Sequence, residues 1–549
     1  MDVNNLQVNT NIVGGYFSAE QIDLLSIIQC KDNNELIDFI IHCDQIKHNY
    51  SKEDLEKMIT MPLDDFKGLV FKSYQDTMVL HDADKKVNID NKLRHCGIQE
   101  NDIEIIKNAI SNNSPEIMSW LREFIKNKYP NNYEEIFDMS HHFVSTERDQ
   151  LKSEDLYEEM VLLNNNLGSF NSMLIGSGRI YNVVNDLYDK SNPDKRFDFY
   201  FAERDLDFAY RNGKQVRYHS LLVKDGMDNL FAGKSKEEML EIIKDYVKKS
   251  IDFINKYNSN HKVKINGKEE PVINAVDLFN EIVSFDPMIY DDTTKKWCSY
   301  KKNKAGKYKV VLDENKELYR DLYPGEIPEY KNIWENKYGI TMDELLSAFD
   351  YARKNKPEGV NFLYNEPFLE NDERRKKVLE VLGKIDSKRP GLIDTLGSQM
   401  HITIGEDENK IRRCFEDFRT LQERTGKHIQ ITEFDMSLGR TQIPRVFGNN
   451  PEVTLEQVYE YKHQKIGEIS SVINESGVHL DGISYWSLTD GIDCNLERVR
   501  SDGSITDIHQ IPTACGGLFP THKKLIKKQE FSQAEAQNYE STEPSHKHR

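Results

Sequence analysis

Positive charge is in deficit in this sequence. Lysine and arginine number 73 against 92 aspartates and glutamates, and the formal net charge is −19 with histidine neutral. That balance argues against a surface built for nucleic acid and fits neutral or cationic ligands. Cysteine is scarce as well. The seven cysteines lie at 30, 43, 96, 298, 414, 494 and 515, with no CxxC pair. An odd, scattered set argues against a disulfide framework and a zinc knuckle, and reads as reduced thiols. No run of 18 apolar residues occurs, so no membrane span is expected. The opening MDVNNLQVNTNIVGG lacks the basic and apolar regions of a secretory signal. A cytoplasmic location is therefore expected, although export by a non-standard route would leave the same opening. The GSG at 176–178 opens no phosphate-binding fingerprint, which argues against a nucleotide site. Neither a cofactor nor a metal is expected.

What is present is apolar and aromatic material enough for a large core: 38 % and 10 % of 549 residues. Such a length suits two or more domains, or one barrel with an extension. Residues 1–136 read as an all-helical extension. SAEQIDLLSIIQC (18–30) and NNELIDFIIHC (33–43) carry apolar residues at helical spacing, the second with Asn34 as candidate cap. SKEDLEKMI (51–59) opens on a capping box from Ser51 to Asp54. SPEIMSWLREFIKNKY (114–129) has a Ser-Pro entry. No repeat and no chemical motif marks this region, so a helical cap on the next domain is favoured over a docking or regulatory role.

From about residue 137 the pattern changes to short apolar runs separated by amphipathic helical stretches. The runs are HHFVST (141–146), GSFNSML (168–174), QVRYHSLLV (215–223), VINAVDLFNE (272–281), VNFLYNE (360–366), TLGSQMHI (395–402), HIQITEF (428–434) and GISYWSL (482–488). Eightfold strand–helix alternation predicts an α/β fold, a parallel (β/α)8 TIM barrel over 137–530. A Lys- and Tyr-rich insertion is expected at 286–330 and a polar, disordered tail at 531–549.

A barrel of this kind builds its site at the carboxyl ends of its strands. The polar residues there are His219, Asn280, Glu281, Asn365, Gln399, His401, Glu433 and Trp486. Two carboxylates among amides, imidazoles and an indole suit glycoside hydrolysis. One carboxyl serves as acid and base, the other as nucleophile, and the amides hold sugar hydroxyls. Mutual repulsion keeps one of the two protonated near neutral pH. Each residue alone is more often a solvated or core group; the ordered set on eight strands is what carries the chemistry.

These segments together resemble family 10 glycoside hydrolases, the retaining endo-β-1,4-xylanases, over roughly residues 137–530. DLFNE (277–281) resembles the family's acid/base segment and ITEFD (431–435) its nucleophile segment. GSQMH (397–401), GKQVRYHSLLV (213–223), FLYNE (362–366), ISYWSLTD (483–490) and GGLFPTHKKLIKKQEF (516–531) resemble further family motifs in the same order. The resemblance implies that Glu281 protonates the leaving oxygen and later activates water. Glu433 attacks the anomeric carbon, held by His401 and Gln399. Asn280 and His219 bond sugar hydroxyls, and Trp486 is the floor beneath the sugar. The implied partner is an oligosaccharide or polysaccharide, with no nucleic acid and no membrane.

The departures lie around the substrate. Val276 and Val223 stand where the family has tryptophan, and Lys224 where it has histidine. Gly176, Ser177 and Ile180 stand where the family's Glu, Asn and Lys bind the sugar beyond the cleavage point, and GIDCNLER after the last strand holds no tryptophan. Two alternatives therefore stand beside a xylanase: a β-glycosidase or transglycosylase for a short non-xylan glycoside, and a non-catalytic glycan-binding barrel.

Overall fold

The computed structural model of the chain describes residues 8, 10–43, 45–75, 77, short stretches between 98 and 129, 153–184, 197–223, 227–291, 296–302, 308–311, 318–321, 326, 328–437, 446–447, 455–486 and 488. Eight parallel strands close into a barrel: β1 (Ile12–Tyr16), β2 (Ser172–Ile175), β3 (Gln215–Tyr218), β4 (Ile273–Asn280), β5 (Asn361–Glu366), β6 (Thr395–Ser398), β7 (His428–Ser437) and β8 (Leu480–Tyr485). Each pairs in parallel with the next, and β8 pairs with β1, so no edge is left open. All four residues of β2, β3 and β6 are buried, as strands covered on both faces must be.

Helices return the chain between strands. Tyr200–Arg211 follows β2, Lys236–Asn260 follows β3, Asp372–Lys388 follows β5, Glu408–Thr425 follows β6 and Leu455–Glu475 follows β7. Their ends are written in the sequence. Ser235 and Glu238 form a capping box on the longest of them, and Gly426 ends another in the left-handed conformation. The insertion after β4 is an antiparallel meander of Met288–Asp291, Lys296–Lys302, Tyr308–Val311 and Leu318–Asp321. Its inward face buries Ile289, Cys298 and Val310.

The division of the chain departs from the sequence expectation. One unit comprises residues 1–19, 168–490 and 499–549; the other comprises 20–167 and 491–498. The first barrel strand is Ile12–Tyr16, in the place expected for HHFVST (141–146), a run that lies outside the described residues. The helical region is thus inserted between β1 and β2 rather than placed ahead of the barrel, and the boundary expected at 136/137 does not hold. The physical reason is closure: β8 needs a parallel neighbour, and Ile12, Val13, Gly14 and Gly15 pair with Gly482, Ile483, Ser484 and Tyr485. Val13 N–H also donates to Asn171 Oδ1 at 2.9 Å across 158 positions of sequence.

Within the inserted unit, helices span Asn33–His42, Lys52–Met58 and Ser153–Asn166. The Ser51–Asp54 capping box forms as read, whereas Asp32, not Asn34, caps the helix that begins at Asn33. Residues 114–123 and 130–152, the tail 531–549 and the closing segment 516–531 lie outside the described residues. Among the described residues no helix is long and apolar enough to cross a membrane.

A buried ion pair locks the end of β5 to its helix. Arg374 Nη2 meets Glu366 Oε2 at 2.6 Å, with both side chains wholly buried. The guanidinium also donates to the carbonyls of Val283 at 2.9 Å, Ser284 at 3.2 Å and Pro367, and Val283 N–H donates to Glu366 Oε1 at 3.0 Å. Burial pushes the Glu366 carboxyl up, and Arg374 opposes it. Removing one partner strands a buried charge at a cost of about 3–5 kcal/mol. Urea unfolding of Glu366→Ala is expected to lose stability of that size; a loss below about 1 kcal/mol would show the pair to be dispensable. A chain starting at residue 18 lacks β1, and is expected to show no cooperative thermal transition of the barrel by circular dichroism. A melt matching that of the full chain would contradict closure through β1.

Candidate active site

Every site residue expected from the sequence arrives at the carboxyl end of the barrel. Asn280 is the last residue of β4. The chain then turns at Glu281 with φ 56°, a conformation that costs a non-glycine residue of order 1 kcal/mol and is concentrated at functional sites. The turn is held by Glu281 N–H donating to Asn365 O at 3.0 Å. Met400, between Gln399 and His401, has the same φ of 56°. His401–Thr403 then pairs with the end of β7, setting His401 opposite Asp435. Glu433 lies within β7 and is 2 % exposed.

A continuous line of hydrogen bonds joins the two carboxylates. Gln399 Nε2 donates to Glu281 Oε1 at 3.0 Å and to Asn280 Oδ1 at 3.2 Å. Asn365 Nδ2 donates to Asn280 Oδ1 at 2.9 Å and to Glu433 Oε1 at 2.7 Å. Asn365 is itself oriented by Thr432 Oγ1, which donates to its Oδ1 at 2.5 Å. Asn280 Oδ1 thus receives two amides, which turns its own NH2 away from them. Gly397 makes this possible: a Cβ there would lie 2.7 Å from Asn365 Oδ1 and 2.8 Å from Thr432 Cγ2. The Gln399 expectation needs one correction. It holds Glu281 and Asn280, and the amide on Glu433 is Asn365. The reason is position: Asn365 is the penultimate residue of β5, opposite Gly397 of β6, while Gln399 lies one residue beyond β6, where it reaches Glu281.

Two imidazoles complete the surroundings of Glu433. His401 Nε2 lies 3.4 Å from Glu433 Oε2, and its Nδ1 lies 3.1 Å from Asp435 Oδ2. Burial alone would lower the His401 pKa. The hydrogen bonds to Asp435 and Glu433, with the charges of both, overcome this and raise it to about 10. His219 Nδ1 meets Asp277 Oδ2 at 2.6 Å and lies 3.8 Å from Glu433 Oε1. Burial, with the positive field of Arg179 second, pushes His219 down toward its neutral form. Burial likewise works to raise the Glu433 carboxyl, but the fields of His219, His401 and Arg217 and the His401 contact hold it down at about 2. With His219 kept toward neutrality, His401 and Arg217 are the cations that hold the Glu433 carboxyl down at neutral pH.

Trp486 closes the group. Its N–H on the backbone donates to Phe434 O at 3.1 Å, and its ring centroid lies 6.0 Å edge-on from both His219 and His401. Tyr16, at the end of β1, stacks on it at 4.4 Å and 13°. Several of these supports escaped the sequence reading: Tyr16, Arg217, Asp277, Thr432 and Asp435. A signal for three existed. Arg217 precedes His219 by two positions and Asp435 follows Glu433 by two, so each shares a strand face with its partner, and Asp277 lies on the strand that ends in Asn280. Arg217 donates to Asp277 Oδ2 at 2.6 Å and to Thr432 O at 2.5 Å.

A closed parallel barrel with two linked carboxylates at its carboxyl end defines an architecture of the glycoside hydrolase kind. The particular family follows from comparison: the chain belongs to glycosyl hydrolase family 10, whose profile matches residues 182–495. Among curated relatives, an endo-1,4-beta-xylanase A of Thermotoga maritima is 26 % identical over 316 residues, covering 56 % of this chain and 23 % of the relative. A beta-1,4-xylanase of Dictyoglomus thermophilum is 23 % identical over 295 residues, covering 54 % of this chain and 66 % of its own. The chain thus spans under a quarter of the length of the first of these. Among solved structures, native xylanase 10B of Thermotoga maritima aligns over 66 % of this chain and 88 % of its own, at 18 % identity and a TM-score of 0.39.

Stability should follow the His401 proton. A group whose pKa is raised on folding stabilises fully below its unfolded value, about 6.5, and loses that contribution as pH rises through about 10. Urea unfolding should therefore lose up to ~1.4 kcal/mol per pH unit above about 6.5 from this group. His401→Asn should flatten the slope between pH 7 and 10. An unchanged slope in the variant would assign the dependence elsewhere.

Proposed function

We propose that this chain is a retaining glycoside hydrolase that cleaves β-1,4-linked glycans of the xylan type. The observation that carries the proposal is the line of amides joining Glu281 to Glu433, with Glu433 held as the anion. A buried carboxylate of low pKa, oriented at both oxygens by Asn365 and His401, is suited to attack an anomeric carbon. Glu281, one residue past the end of β4, gives its proton to the departing glycosidic oxygen. The bond from C1 to that oxygen breaks as the bond from C1 to Glu433 forms. Glu281, now a carboxylate, takes a proton from water as the water oxygen bonds C1 and the bond from C1 to Glu433 breaks, which releases the sugar with its original configuration and returns Glu433 as a carboxylate. The Asn280 NH2, turned away from its two amide neighbours, is placed to donate to a sugar hydroxyl. Trp486 backed by Tyr16 offers the apolar face on which a pyranose ring rests. Family membership and the names of the relatives support the same substrate class.

A second reading, hydrolysis of short glycosides, is favoured by one observation. Ile180 is wholly buried and Gly176 has no side chain, so neither can reach an outer sugar.

The carboxyl groups are expected to behave unequally. Glu433→Gln should abolish turnover of every β-xyloside. Glu281→Ala should lose about 10²–10⁴ in kcat/KM on xylo-oligosaccharides. It should lose far less on aryl glycosides whose leaving group needs no proton. Proton NMR of the first-formed product should show the β-anomer. An α-anomer, or equal losses on both substrate types for Glu281→Ala, would refute the assignment. Comparing an aryl xyloside, an aryl xylobioside and xylan ranks the two substrate readings, and absence of turnover on all three refutes both.

A further inference from the structure

The outer wall of the barrel holds a second group of side chains that the chemistry above does not use. A cavity of about 330 Å³ opens between the helices Tyr200–Arg211 and Lys236–Asn260, which follow β2 and β3. That is the size of the smaller ligand sites in proteins. None of the residues lining it belongs to the hydrogen-bonded group around Glu281 and Glu433. Both helices run back from the carboxyl end of the barrel, so Asn260 and His261, where the longer one ends, lie away from the reacting carboxylates. Exposed rings gather here. Among the described residues ten large apolar side chains stand exposed, and three of them, Tyr200, Phe201 and Tyr210, are on the one helix Tyr200–Arg211. Apolar groups scattered singly over a surface need no explanation, whereas several rings beside one cavity mark a binding surface.

The apolar wall of the cavity is rigid. Phe199 and Phe253 stack with ring centroids 4.7 Å apart at 12°. Phe253, Tyr257 and His261 follow at four-residue spacing, which sets them on one face of the longer helix and its cap. Tyr257 and His261 stack at 4.2 Å and 21°, Tyr210 meets His261 edge-on at 4.9 Å, and Tyr257 Oη donates to Asp207 Oδ1 at 2.8 Å. A wall ordered in advance lowers the cost of binding. The rest of the lining is polar and exposed: Asp198, Glu203, Lys256 and Asn260. Asp198 Oδ1 accepts from the Tyr200 N–H at 2.9 Å. Among the described residues the side chains of Glu203, Lys256 and Asn260 make no hydrogen bond or ion pair. An ammonium and two carboxylates thus face one cavity without pairing.

This mixture of groups selects among ligands. Lys256 repels an organic cation seated among the rings, and Asp198 and Glu203 repel an anion. The core of a protein interface is depleted in Asp, Glu and Lys, all three of which stand here. A neutral ring bearing hydroxyls satisfies every group. Its hydroxyls accept from Lys256 and Asn260 and donate to Asp198 and Glu203, while its C–H face lies against the aromatic wall. We propose that this cavity is a second glycan-binding site, which holds a pyranose unit of a neutral β-1,4-xylan-type chain outside the catalytic cleft. Holding the polymer at a second point raises its effective concentration at the reacting end without any new catalytic contact. The proposal rests on the reading of the chain as a hydrolase of β-1,4-glycans.

The test uses the full chain carrying Glu433→Gln, so that polymer is not consumed, in native gels containing soluble neutral xylan. Retardation against xylan concentration gives an apparent Kd. Adding Glu203→Ala with Lys256→Ala, both exposed positions, is expected to weaken it about tenfold. Phe253→Ala, which removes part of the wall, should do the same. With Glu433 intact, the Glu203→Ala/Lys256→Ala chain should keep kcat/KM on an aryl xyloside within about twofold, while KM on xylan rises about tenfold. A parent chain that xylan does not retard overturns the proposal, as does retardation unchanged in both variants. Aryl xyloside turnover that falls in step with xylan turnover also overturns it, because the effect then runs through the cleft or the fold. Tetramethylammonium that releases the chain from xylan reassigns the cavity to a cation. A dimer in sedimentation that Glu203→Ala/Lys256→Ala dissociates reassigns it to a second copy of the chain. Retardation lost in the variants, from a chain that turns over no glycoside, refutes the hydrolase and leaves the outer site standing. Turnover with retardation that the variants do not move does the reverse.

Discussion

The structure at the carboxyl end of the barrel is organised by the burial of one negative charge. A carboxylate that is 2 % exposed cannot stay ionised unless donors replace the water it has lost. Glu433 finds them on three different strands: the amide of Asn365 from β5, His401 from beyond β6, and the field of Arg217 from β3. Each donor then needs its own partner. His401 is paired with Asp435, His219 and Arg217 with Asp277, and Asn365 with Thr432 and Asn280. The result is a buried polar network whose named members bond one another, with Arg217 Nε and Asp277 Oδ1 left over. Such networks are costly when incomplete and rigid when complete.

This accounts for the packing around the site. Gly397 stays small because the Asn365 amide passes where its side chain would be. Glu281 takes a left-handed backbone because its N–H must reach Asn365 O while its carboxyl reaches Gln399. The Glu366–Arg374 pair lies one residue past Asn365 and anchors the same strand end to its helix, outside the reacting groups. Rigidity at the strand end is what keeps a positioned amide and carboxylate within reach of one scissile bond.

The identity of the reacting groups was legible in the sequence. A strand that ends in Asn280 and Glu281, and another that carries Glu433, need only the period-two alternation and the rule that barrel sites form at carboxyl ends. The partners were less legible. Gln399 sits by sequence nearer to the nucleophile's strand than to the acid's, and only the folded barrel assigns it to Glu281. Asp32 rather than Asn34 caps the helix from Asn33, a choice set by which side chain reaches the Asn34 and Glu35 amides. The Tyr16 stack on Trp486 joins residues at opposite ends of the chain, beyond any local pattern.

By itself the sequence determined that strands and helices alternate, that a barrel results, and which polar residues lie at strand ends, because those follow from local periodicity and cap chemistry. The order of closure was decided only by tertiary structure. Five residues at 12–16, two of them glycine, carry too little apolar signal to be read as a strand, yet β8 and β2 both need a parallel neighbour and these residues supply it. The charge states were decided there as well. Whether a glutamate is an anion, a histidine a cation, or an arginine is left with an unpaired edge depends on burial and on groups brought from distant strands, and none of these exists until the barrel has closed.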